Sequence, residues 1–114
     1  MKDERGSGSI LGVAVIAAVL VLSIALVPLY GVLLAKRHAA GAADLAALAA
    51  ADVAVGALPG FPCRTASSIA RANNVALRAC RLEGVIVTVR VSASVLGFTV
   101  PGIATAGPPG ALPK

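Results

Sequence analysis

Two cysteines, one histidine, five carboxylates and ten basic side chains make up the reactive groups of this 114-residue chain. Cys63 and Cys80 stand 17 positions apart with no CxxC spacing and no histidine nearby, which argues against zinc or thiol redox chemistry. A disulfide is the chemistry they suit: it would close a loop of about 18 residues and contribute roughly 3 kcal/mol. Two unpaired buried thiols are the alternative. His38 follows Lys36 and Arg37 with no carboxylate or second histidine close by in sequence, so it reads as a polar residue at headgroup level. Asp44 and Asp52, eight apart, fall about 80° apart around a helix. No nucleophile or metal-binding residue accompanies this pair, so the aspartates are expected to solubilise a helix edge or to meet arginines of a neighbouring element. No nucleophile–base pair, phosphate loop or metal cluster emerges, and no enzyme, cofactor or metal is expected.

The elements that carry these groups follow from composition. Hydrophobic residues are 58% of the chain and aromatics 3%, with no Trp, so the apolar character rests on Ala, Val and Leu. Ile10 to Leu34 is a 25-residue run without a charge, and sixteen of its positions are Val, Ile or Leu. As a helix it is about 37 Å long, enough to cross a ~30 Å hydrocarbon core with tilt. Those sixteen residues favour insertion by on the order of −6 kcal/mol. Pro28 with Gly31 predicts a kink in its second half. Gly8 and Gly12 form a small-xxx-small pair that suits close helix packing.

Charge does not orient this segment, because Lys2 and Arg5 on one side balance Lys36 and Arg37 on the other. A disulfide would place the C-terminal side outside the cytoplasm. That side also carries the formal net charge of +5. Its arginines are scattered and lack stacking aromatics, which argues against nucleic acid and for a solvated face. Attraction to membrane lipid or cell-wall polymer is the other reading of that charge.

Beyond the membrane the alanine-rich stretch to Ala57 predicts a straight continuation of the helix. Leu45, Leu48 and Val55 share a stripe on it, beside Ala47 and Ala51, and Leu45 and Leu48 are the residues expected to pack against another helix. Leu58-Pro59-Gly60 predicts its end. Thr65 to Asn74 reads as a short helix capped by Thr65 and stopped by Asn73-Asn74. Val75 to Leu82, a Glu83-Gly84 turn and Val85 to Val91 predict a β-hairpin, with Val85, Val87, Val89 and Val91 on the buried face. Ala93 to Val100 is a third strand candidate. The expected organisation is a polar head (1–9), a transmembrane helix (10–35), an extracytoplasmic extension (36–58), a small disulfide-stapled α+β region (59–100) and a flexible Pro/Gly-rich tail (101–114).

This order of features resembles the TadE/TadG-like proteins of Flp (tight-adherence) pilus assembly, especially the short actinobacterial TadE-like members. The resembling residues are the head Arg5-Gly6-Ser7-Gly8-Ser9, Ala25 to Leu29, Ala35-Lys36-Arg37, and above all Ala42-Ala43-Asp44-Leu45-Ala46-Ala47-Leu48-Ala49. That last stretch is similar to the family's NAADAAALA segment, with Gly41 where Asn is usual. The resemblance covers residues 5–55 well and the rest in outline. It implies a pilin-like, α+β, membrane-anchored fold with a structural role in pilus or secretion-system assembly. It further implies a single pass through the cytoplasmic membrane with the N-terminus inside, and other pilin-like helices and Tad assembly proteins as partners. Prepilin-type cleavage after Gly6 or Gly8, leaving Ser7 or Ser9 first, is a further implication. The glutamate usual five residues after such a cut is replaced here by Leu11 or Val13. Two other readings stand beside this one: an interaction module of another envelope complex, and a secreted basic peptide whose apolar run is a signal sequence.

Overall fold

The computed structural model describes residues 2–110, with side chains from Gly6 onward. The order of elements is α1 (Lys2–Ala54), α2 (Pro62–Ala72), β1 (Ala76–Glu83), β2 (Ile86–Val95) and β3 (Phe98–Ala106). The fold is α+β, with a long apolar N-terminal helix, a short helix and one antiparallel sheet in the order β1-β2-β3. By internal packing it divides into a first unit ending at Gly31 and a second beginning at Val32.

In the first unit α1 carries its apolar side chains outward. Its most apolar 18-residue window has a mean hydropathy of 3.1, and none of it is buried within the chain. α1 continues as one helix through Pro28. The Ser23 hydroxyl donates to the Val19 carbonyl at 2.8 Å, so this polar group is satisfied within its own turn.

The second unit is built on the alanines of α1. Ala39, Ala42, Ala43, Ala46, Ala47 and Ala50 are buried at the 3–4-residue spacing of one helix face, and Val87, Val89 and Val91 of β2 belong to the same core. Leu45 and Leu48, 51% and 57% exposed, lie on the other face. The leucine stripe is thus separated from Ala47 and Ala51, which turn inward. Backbone proximity explains the choice. A Cβ on Gly102 of β3 would stand 2.5 Å from the Ala39 carbonyl oxygen, so sheet and helix meet where neither side has bulk.

α1 ends at Ala54, before Leu58-Pro59-Gly60. Gly56 takes φ +86°, and the amides of Ala57 and Leu58 turn back onto the Asp52 carbonyl, closing the helix in the left-handed manner that glycine permits. α2 begins at Pro62, three residues earlier than the expected Thr65 cap. Proline at the first turn fixes φ and needs no amide partner, while the Thr65 amide already donates to the Phe61 carbonyl. Asn73 caps the other end and Asn74, at φ 60°, turns the chain into β1.

The sheet is a meander. Glu83 pairs with Ile86 across a two-residue turn whose first residue, Gly84, has positive φ. The third strand is not the expected Ala93 to Val100, because Ala93 to Val95 end β2 and β3 begins at Phe98, which pairs with Val95 across the Leu96-Gly97 turn. β1 bulges between Leu77 and Ala79. Of the four valines expected on the buried face, Val87, Val89 and Val91 are buried, with Thr88 half-buried and Arg90 exposed between them. Val85 is the exception, because the turn is Gly84-Val85 rather than Glu83-Gly84 and leaves it exposed before β2 begins. The reading of residues 101–114 as a flexible tail is corrected, because Pro101 to Ala106 complete β3 and pair in register with Val87 to Ser92. Pro101 is tolerated because β3 is an edge strand, where a missing amide breaks no ladder on the open side. Residues 111–114, the end of that expected tail, lie outside the described residues.

Candidate interaction surface

Each residue singled out in the sequence has a definite place. Cys63, in the first turn of α2, is bonded to Cys80 of β1, with Cα atoms 5.7 Å apart. This staple holds the short helix to the sheet in a core made largely of alanine, where each methyl contributes only about 0.8 kcal/mol. His38, expected at headgroup level, makes a contact within the fold. Its Nε2 lies 2.7 Å from the Asn73 carbonyl, tying α1 to the end of α2 across 35 residues. No signal in the sequence announces that contact.

Asp44 and Asp52 are exposed on α1. Among the described residues the one ion pair is Arg81–Glu83 at 3.8 Å, on the surface, so the aspartates meet none of the described arginines. Among the described residues there is also no group of three or more His, Cys, Asp or Glu able to hold a metal ion. Gly6, Ser7, Gly8 and Ser9 lie within α1 and are exposed. Nothing approaches the Cβ positions of Gly6, Gly8 or Gly12 within 4 Å, so the small-residue edge is open.

Comparison with protein-family models, curated proteins and solved structures finds no match. The chain's own surfaces are therefore what bears on function.

Three of them stand out. The first is the apolar girdle of α1 from Ile10 to Tyr30. The second is the leucine face, with Leu45 and Leu48 exposed between Asp44 and Asp52 and Val55 exposed just beyond them. The third is a groove of about 500 Å3 beside β2, where Arg71 and Arg78 stand with Asn74, Ser92, Ser94 and Thr99. The Arg78 Nε–H donates to the Ser92 hydroxyl at 2.7 Å, which fixes the guanidinium and leaves its outer nitrogens available. Among the described residues no carboxylate lines this groove. The surfaces suit lipid, helix and anion contacts, respectively. Sequence reasoning named the first two from hydropathy and spacing. It missed the groove because Arg71, Arg78 and Ser92 meet only through the fold.

Proposed function

We propose that this chain is a single-pass, membrane-anchored structural protein of pilin-like type, acting in the cell envelope in pilus or secretion-system assembly. Its N-terminus faces the cytoplasm and its disulfide-bonded sheet faces outward. The observation that carries the reading is one continuous helix with two uses. Its first part is apolar on every side and covered by none of the described residues, and its second part seats a small sheet on alanines. An apolar helix of this length needs lipid or other apolar helices around it. The Cys63–Cys80 bond supports an oxidising compartment for the sheet. The TadE/TadG-like resemblance of residues 5–55 supplies the assembly role, with pilin-like helices and Tad assembly proteins as partners.

A signal sequence passes the same test of length and hydropathy, so a secreted basic peptide is the reading to set against this one. Helical continuity favours the anchor, since Ala39 and Ala42 are both helical and buried at the point where such a peptide would begin. Intact mass and N-terminal sequence of the protein from its native cells separate the readings. A start at Ser7 or Ser9, or a retained N-terminus in the membrane fraction, is expected. A start between Ala39 and Ala42, recovered from the medium, contradicts the proposal.

A further inference from the structure

The β2–β3 turn overshoots the core in one direction. His38 bonds the Asn73 carbonyl at one end of α2, and β1 starts two residues beyond Asn74. From there β1 runs away to Cys80, which is bonded to the opposite end of α2. β2 returns, so that Ser92, opposite Ala76, is back at the level of His38, and Gly102, opposite Val91, touches Ala39. β2 and β3 then continue past this level to the Leu96-Gly97 turn, about four residues or 13 Å further. The overshoot points toward the start of the second unit. Val32 and Ala35, on the same stripe as Ala39 but about two turns and one turn before it, are half-buried. Val32 to Leu34 is the C-terminal end of the uncharged apolar run, and Lys36 and Arg37 follow it.

What the tip presents is unusual for a turn in water. Leu96 is 66% exposed and Phe98 64% exposed. Leu96 also holds φ 50°, a left-handed conformation that a bulky side chain rarely adopts because its Cβ crowds the following carbonyl oxygen. An Asn or Gly would occupy this position without strain. Flanking the tip is the groove with Arg71 and Arg78, which no carboxylate of the described residues lines. Apolar tip, basic flank and nearby end of an apolar run have the pattern of an interfacial anchor.

We propose that the Val95–Phe98 turn is a second membrane contact: Leu96 and Phe98 enter the headgroup–acyl boundary, and Arg71 and Arg78 face anionic lipid phosphates. The sheet is then held against the bilayer rather than free to swing above it. This inference rests on the membrane reading of α1.

The chain has no Trp, so a single tryptophan reports without background. The test places Phe98→Trp, and separately Leu96→Trp, in the full chain reconstituted into vesicles of phosphatidylcholine and phosphatidylglycerol. Lipids brominated high on the acyl chain serve as quenchers. The expected result is blue-shifted emission at both positions and a loss of about half the fluorescence with brominated lipid. Unquenched, water-like emission from chains that float with the vesicles overturns the tip contact and leaves the anchor standing. A blue shift without bromine quenching also overturns it, because the tip is then covered by protein. Failure of the chain to float with the vesicles overturns both. Far-UV circular dichroism matching the unsubstituted chain shows that the variants keep their fold.

Discussion

Residues 10–31 and residues 39–53 share one helix but dispose of their apolar surface in opposite ways. In the first stretch large side chains point outward on all sides and none of the most apolar window is buried. In the second, seven alanines from Ala39 to Ala51 are buried while Leu45 and Leu48 face out. Size explains the difference. Without a sheet against it, a helix stabilises itself by offering as much apolar area as possible to a surrounding apolar phase. Against a sheet, close approach of backbones matters more, and small residues permit it. Hydropathy therefore identifies the membrane-suited part, whereas side-chain volume identifies the seat.

Overfilling the seat is the sharpest way to break this contrast. Gly102→Val sets a branched side chain against the Ala39 carbonyl, which lies in backbone and cannot swing aside. Thermal or denaturant unfolding of the second unit is expected to lose more than about 3 kcal/mol. A variant unfolding like the parent would show that helix and sheet are not in close contact there. Cys63→Ser with Cys80→Ser should cost about 3 kcal/mol, because the loop these residues close is unrestrained in the unfolded state. Reducing agent should reproduce that loss in the parent and do nothing further to the double variant.

In the outward-facing half a charge is the corresponding insult. Leu20→Arg should disfavour insertion by about 3 kcal/mol, lowering the membrane-bound fraction while the unfolding of the second unit stays unchanged. A smaller, opposite effect is expected at the turn. Leu96→Asn relieves the positive-φ strain and should raise stability by about 1 kcal/mol. The smallest effect belongs to the leucine face. Leu45→Ala and Leu48→Ala should each change the second unit's stability by less than about 0.5 kcal/mol, since these side chains touch little within the chain. If they bind another helix, crosslinking between chains in the membrane drops instead.

Much of this architecture could be read from the residues. The apolar run, the alanine-rich continuation, the Val87-Val89-Val91 alternation and the Cys63–Cys80 pair each carry a local signal, and each appears as expected. What escaped depends on contacts distant in sequence. Pro101 and Gly102 look like tail residues, yet an edge strand tolerates the proline and the backbone of α1 demands the glycine. Leu45 and Leu48 satisfy helical spacing as well as the alanines do, so periodicity alone could not tell which stripe the sheet would take. His38–Asn73 and Arg78–Ser92 join residues 35 and 14 positions apart, beyond the reach of any local pattern.

The most direct test of the account is protease accessibility in right-side-out spheroplasts of the native cells, after alkaline extraction has established which fraction holds the protein. The account predicts that the chain resists extraction and that external protease removes the second unit from intact spheroplasts. It also predicts that reductant speeds this digestion by opening the Cys63–Cys80 staple. A chain found in the soluble fraction, or protected until the spheroplasts are lysed, would contradict the anchor and its orientation.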